Sequence, residues 1–184
     1  MIEVLRCDPS AETLEAYAAI SPAFEVTAHC QPKALDNGAV VPMAVNPPYL
    51  KDEYEDPRDW GKQHNLAKWA LFLASEDRAT AGACAVVRAT PSLYFPVGPD
   101  DALLWDIRVS PVDRGHGVGK ALMQAATGWA LDQGCITMLI ETQDTNVSAC
   151  RLYLAAGFQA AQITPGVYDA YPDELLVVFR KTLT

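Results

Sequence analysis

Basic residues are scarce in this chain, with 14 Lys and Arg against 23 Asp and Glu for a formal net charge of −9. Proteins that hold a nucleic-acid backbone need clustered Lys and Arg that displace counterions, so no nucleic-acid partner is expected and a cationic one suits the chain better. Plain solubility is an equally good reason for the acidity. No apolar run reaches the roughly 18 residues of a membrane span, and the stretch from Leu66 to Ala74 is broken by Lys68. Met1-Ile2-Glu3-Val4 lacks the basic start and long apolar segment of a secretory signal. A cytoplasmic protein without a membrane partner is the expectation. There is no C-x-x-C pair. The five cysteines, Cys7, Cys30, Cys84, Cys135 and Cys150, are odd in number and scattered without a histidine cluster. Neither a disulfide framework nor a metal site is therefore expected, and the thiols read as small buried side chains.

What the chain does have is enough apolar content for one core: half of its 184 residues are hydrophobic, which predicts a single domain over residues 1–184. Ile2 to Arg6 reads as a strand, and Ala11 to Ile20 as a helix behind the cap Ser10. Phe24 to Ala28 and Val40 to Val45 are short β-prone runs, whereas Pro47 to Trp60, with its prolines and acids, reads as loop or short helices. Trp69 to Ser75 and Gly82 to Ala89 flank the polar stretch Glu76 to Ala81 and predict a hairpin. Leu103 to Ser110 is the next strand. Val118, Ala121, Leu122, Ala125, Ala126, Trp129 and Ala130 then recur at helical spacing up to Gly134. Thr137 to Thr142 reads as a strand, Asn146 to Ala156 as a helix ended by Gly157, and Phe158 to Thr164 and Leu175 to Leu183 as closing strands. The fold class predicted is α/β, in the sense of an α+β arrangement around a mixed sheet.

Between the Leu103 strand and the long helix lies Arg114-Gly115-His116-Gly117-Val118-Gly119-Lys120. Glycines at a strand-to-helix turn let backbone N–H groups approach an anion at the positive end of a helix, which is phosphate chemistry. Arg114 and Lys120 can add charge. No Ser or Thr follows Lys120, so the turn is not a P-loop, and Lys120 stands where a dinucleotide fingerprint needs its third glycine. Alone, such a turn can also be a tight structural connection.

Its surroundings decide between these readings. Trp105-Asp106-Ile107-Arg108-Val109 precedes it; Glu141-Thr142-Gln143-Asp144-Thr145-Asn146, then Arg151-Leu152-Tyr153 and Gly157-Phe158, follow it. In order and spacing these resemble the acetyl-CoA motifs of the GNAT superfamily of N-acetyltransferases. The resemblance implies a central, largely antiparallel sheet splayed in the middle and flanked by helices, and acetyl-CoA as cofactor. It implies that Ile107, Arg108 and Val109 offer backbone to the pantetheine arm, and that Arg114, Gly115, His116, Gly117, Val118, Gly119 and Lys120 hold the pyrophosphate, chiefly through amides. It further places Asn146 on the cofactor's amide-bearing arm and Tyr153 near the thioester sulfur. Asn146 also reads as a helix N-cap, and Tyr153 as a packed aromatic.

An alkyl amine has a reference pKa of about 10.4 and must lose a proton before it attacks the thioester. Asp106 and Glu141 are the candidate bases, with orientation of a cationic substrate as the other role for each. Tyr153 is the candidate acid for the departing thiolate. Within the superfamily the chain is most similar to streptothricin acetyltransferases, on Asp106-Ile107, the run from Arg114 to Met123, Glu141 through Tyr153, Val167-Tyr168-Asp169 and, upstream, Phe24 to Ala28 and Pro47 to Lys51. This implies a small-molecule amine as acceptor, with residues 1–100 as the variable acceptor-side half and residues 101–184 as the cofactor half. A protein lysine, a polyamine, an aminoglycoside, a homodimer and a non-catalytic acyl-CoA-binding module all stay open. The acidic segment from Lys51 to Asp59 is the expected attractor of a cationic acceptor.

Overall fold

The computed structural model describes residues 1–52, 54–77, 79–92 and 94–183; Glu53 of the acidic segment and Arg78 of the hairpin turn lie outside the described residues. The chain opens with β1 (Glu3–Cys7) and α1 (Ala11–Ala18), whose cap Ser10 accepts a hydrogen bond from the Thr13 amide as the sequence predicts. β2 (Phe24–Cys30), α2 (Pro32–Asp36) and β3 (Pro42–Lys51) follow, and β2 pairs with β3 as a small separate sheet. Here the sequence reading is corrected, because Pro47 to Lys51 is strand rather than loop. The prolines fall on a strand that is paired only with β2, where a missing N–H costs little. α3 (Trp60–Gln63) sits between two short 3₁₀ turns.

β4 (Trp69–Glu76) and β5 (Ala79–Arg88) form the expected hairpin, with the strands running further into the turn than the polar residues suggest. β6 (Asp101–Val109), α4 (Val118–Asp132), β7 (Thr137–Gln143), α5 (Val147–Ala155), β8 (Gln159–Pro165) and β9 (Leu175–Thr182) complete the chain close to the predicted bounds. The main sheet has seven strands in the order β1-β4-β5-β6-β7-β9-β8, and β6 with β7 is its parallel pair. The expected mixed, largely antiparallel sheet is what forms.

Each sheet face has its own core. One side, packed by α4 and α5, gathers Ala70, Phe72, Cys84, Val86, Leu104, Leu122, Met123, Trp129, Tyr153 and Phe179. The other gathers Tyr17, Trp60, Trp69, Leu71, Val87, Leu103, Leu139 and Val178. Gly82 is what lets α4 seat on β5, since a Cβ there would lie 2.8 Å from both the Arg108 carbonyl oxygen and Val118 Cγ1. Cys30, Cys84, Cys135 and Cys150 are buried and unpaired, and Cys7 is half-buried. No helix of the described residues is long and apolar enough to cross a membrane.

Candidate active site

The site originates in a one-residue irregularity of β6. Along the β5–β6 ladder Ala85 faces Asp106 but Val86 faces Leu104, so Trp105 is an extra residue. A bulge exchanges the faces of everything beyond it. Leu104 packs on the helix side, yet so do Ile107 and Val109, while Asp106 and Arg108 turn to the side of Tyr17 and Trp105. Were β6 to alternate regularly through Trp105, the acid would face α4.

The second feature is the splay. β6 and β7 pair only from Asp101–Thr137 to Leu104–Ile140. Beyond that point β6 stays with β5 as far as Val109, and β7 stays with β9 as far as Gln143. The inner edges of Asp106 to Val109 and of Glu141 to Gln143 therefore line an opening between diverging strands, and an extended ligand arm can pair with such an edge.

At one mouth of the opening lies the glycine turn. Gly115 and Gly117 hold left-handed φ of 82° and 95°, and Gly117 is the N-cap of α4 with no side chain capping the helix. Among the described residues no protein acceptor engages the amides of Val118, Gly119 and Lys120, the groups that every helix start leaves unsatisfied. His116 and Lys120 are exposed. Two predicted members behave differently from a simple cradle. Arg114 donates to the carbonyls of Val109, at 3.2 Å, and Ala23, at 3.0 Å, so its guanidinium ties the turn to the rest of the fold. Gly119 sits at a tight helix contact, where a Cβ would lie 3.1 Å from Leu152 Cδ2 of α5.

α5 presents the other two candidates. Asn146 is its N-cap and accepts a hydrogen bond from the Ala149 amide at 3.1 Å, so the capping role read from the sequence is present. Tyr153 is buried, with its ring edge-on to Phe179 at 5.5 Å between centroids. Among the described residues no hydrogen bond engages its hydroxyl. Burial, and then the nearby Cys150 thiol and Asp106 carboxyl, push its ionisation well above the ordinary tyrosine value, so it stays a neutral donor.

The other mouth opens into a cavity of about 470 Å³, lined among others by Tyr54, Glu55, Trp105, Asp106, Glu141 and Tyr168. Burial raises the Asp106 carboxyl, while the Arg108 guanidinium, with Nε 2.7 Å away, pulls it back. Glu141 is raised by burial too, opposed only by the Tyr168 hydroxyl, which donates to it at 2.8 Å. The two acids thus share a cavity but differ in commitment: Asp106 is spent on an ion pair, and Glu141 on a neutral donor.

Sequence reasoning missed Lys51, Tyr171 and Glu174 here, whereas Glu55 belongs to the acidic segment it singled out. Lys51, taken as the start of an acidic loop, is buried against Glu174 and lies 4.2 Å from the centroid of the Tyr171 ring, while Tyr49 donates to Glu174 at 2.6 Å. Glu55 accepts from the indole N–H groups of Trp60 and Trp105, both at 3.2 Å. Asp56 and Asp59 instead pair with Arg58 and Lys62 at the surface. Val167-Tyr168-Asp169, the candidate bases Asp106 and Glu141 and the acidic segment were the sequence signals that pointed here; Tyr171 and Glu174 carried none.

A bulged, splayed sheet with an uncapped helix start at one mouth and an acid-lined cavity at the other defines the GNAT class of α/β fold. The chain belongs to the acetyltransferase (GNAT) family, which it matches over residues 43–158. It is 37% identical over 71 residues to streptothricin acetyltransferase A of Bacillus subtilis (strain 168), covering 39% of this chain and 41% of that one. With N-acetyltransferase 8F1 of Rattus norvegicus it shares 32% over 104 residues, 56% of this chain and 46% of the other. It thus spans less than half the length of these curated relatives. Among solved structures, a nourseothricin acetyltransferase superposes with a TM-score of 0.75 at 24% identity, covering 100% of this chain and 99% of that one. A Bacillus anthracis str. Ames protein described as a streptothricin acetyltransferase, in complex with acetyl coenzyme A, gives 0.76 at 21% identity and 99% coverage of both. At these identities the superpositions speak for the fold.

Proposed function

We propose that the protein is an N-acetyltransferase that moves an acetyl group from acetyl-CoA to a primary amine of a small cationic acceptor, with a streptothricin-type molecule as the specific candidate. The observation that carries this is the break in β6–β7 pairing after Leu104 and Ile140, which joins the uncapped start of α4 to the acid-lined cavity through one opening. The similarity to streptothricin acetyltransferases supports the acceptor class.

In this reading the amides of Val118, Gly119 and Lys120 take the pyrophosphate, and the inner edge of Ile107 to Val109 pairs with the pantetheine arm. The acceptor enters from the cavity, and its neutral nitrogen attacks the thioester carbonyl carbon. As the C–N bond forms, the C–S bond breaks, the nitrogen's surplus proton passes through water to Glu141, and Tyr153 donates to the departing thiolate. Burial raises both carboxyls, but Glu141 suits the base role better than Asp106, because Asp106 is engaged by Arg108 Nε at 2.7 Å whereas Glu141 meets only the neutral Tyr168 hydroxyl. Glu55 then faces the acceptor's positive charge from a fixed carboxylate. The domain is a single one, residues 101–184 supplying the cofactor side and both halves supplying the acceptor cavity.

A screen of amines against acetyl-CoA, read as thiol release, tests the reaction. Calorimetry with acetyl-CoA alone tests the cofactor; absence of binding at millimolar concentration would remove it. Salt tests the acceptor's charge: kcat/KM should fall between 0.1 and 1 M for a cationic amine, as the Debye length shrinks from about 10 to about 3 Å, and hold for a neutral one. Glu55→Gln should flatten that dependence, and a screen in which only neutral amines react would overturn the acceptor class.

A further inference from the structure

At the end of the sheet away from the glycine turn, the face that packs α4 runs past the helix's last residue, Asp132. β-strand alternation decides what stands there. Arg6 pairs across the ladder with Phe72, and Arg88 with Ala102, both members of the α4-side core. Lys68, the last residue of the 3₁₀ turn that leads into β4, stands beside them. Where apolar residues would continue the core, three cations appear instead.

Together with Trp69, Pro99, Trp129 and Gln133 they line a cavity of about 380 Å³ to which no carboxylate of the described residues contributes. In a chain of net charge −9 with 14 Lys and Arg in all, this local excess needs a reason. Among the described residues none of the three is in an ion pair. The carboxylate of Asp101, whose strand pairs with that of Arg88, is committed to the Gly98 amide at 2.7 Å. Trp129, 8% exposed, forms the aromatic wall of the cavity on the α4 side.

We infer that this cavity is a binding site for a small organic polyanion, one carrying two or more carboxylate or phosphate groups. Arg6, Lys68 and Arg88 supply the charge, and Trp129 supplies an aromatic wall. The guanidinium forks of Arg6 and Arg88 suit planar and tetrahedral oxyanions alike, and the volume is that of a small-metabolite pocket. The site is separate from the proposed cofactor turn, which lies at the opposite end of α4.

Titrating citrate and inorganic phosphate by calorimetry into protein saturated with acetyl-CoA tests the assignment, with acetate at equal ionic strength as control. Saturable 1:1 binding of citrate or phosphate, absent for acetate, is expected, and the tighter of the two identifies the source as polycarboxylate or phosphate ester. Arg88→Gln with Lys68→Gln should weaken that binding tenfold or more. Arg6→Gln alone should weaken it severalfold. Acetyl-CoA binding, measured separately, should be unaffected in each, so that failure here is distinguishable from failure of the acetyl-transfer reading. Identical citrate and phosphate isotherms in the wild type and the double variant, or responses no different from acetate, would overturn it.

Discussion

The Asp106 carboxylate lies 2.7 Å from Arg108 Nε, two residues along the same face of β6, and the same guanidinium reaches the carbonyls of Ile20 at 3.5 Å and Glu55 at 3.0 Å. One buried cation therefore ties the bulged strand, the end of the α1 segment and the cavity wall together. Arg108→Met should strand a desolvated carboxylate and cost about 3 kcal/mol or more, as expected for half of a buried pair. Urea denaturation checks this; a loss below 1 kcal/mol would mean the pair is solvated.

Gly117 holds φ at 95°, and a Cβ there would meet nothing closer than Ile2 Cδ1 at 3.8 Å. Gly117→Val therefore suffers from its backbone and not from crowding, with a strain of about 1–3 kcal/mol. The variant should fold with a lower midpoint and lose acetyl-CoA binding, as read by circular dichroism and calorimetry. Normal binding would move the phosphate site elsewhere.

For Tyr153→Phe, the ring packing against Phe179 is kept and only the unengaged hydroxyl is lost. Stability and acetyl-CoA affinity should hold while kcat falls about 10²- to 10⁴-fold, the usual cost of a lost general acid. Single-turnover kinetics separate this from slow product release. An unchanged chemical step would return Tyr153 to a packing role.

Burial raises the Glu141 carboxyl above its ordinary 4.5, so the folded state holds that proton more tightly than the unfolded chain does. This favourable contribution is complete below 4.5 and is lost as pH rises through the folded value. Glu141→Gln should thus gain stability relative to wild type from pH 4.5 upward, measured by denaturation across that range. If Glu141 is the base, the acid limb of the wild-type kcat/KM profile should fall above 4.5 and vanish in the variant.

Much of the fold on the proposed cofactor side was legible in the sequence because it is local. The 3.6-residue periodicity of Val118 to Ala130 and the glycines before it specify α4 and its turn without reference to the rest of the chain, and Asn146 announces its own cap. The acceptor side was not, because its logic is tertiary. Lys51 reads as one more surface charge until β3 carries it against Glu174, 123 residues away. Glu55 looks like its neighbours Asp56 and Asp59 until two indoles turn to it. Trp105 reads as an ordinary strand residue, and only the ladder with β5 reveals that it is surplus. The excess cations Arg6, Lys68 and Arg88 belong to three strands' ends and form no motif.

The short parallel seam of β6 and β7 makes the sheet two plates joined by four rungs, where β4 and β5 share eight. Local opening follows the weakest joint. Amides of β6 and β7 next to the seam should therefore exchange with solvent sooner than those of β5, and a ligand arm lying along the free edge of β6 would serve as the missing rungs. The empty protein would then breathe along the very line a cofactor is proposed to close, so that occupancy would be written into the exchange rates of Leu104 and Ile140.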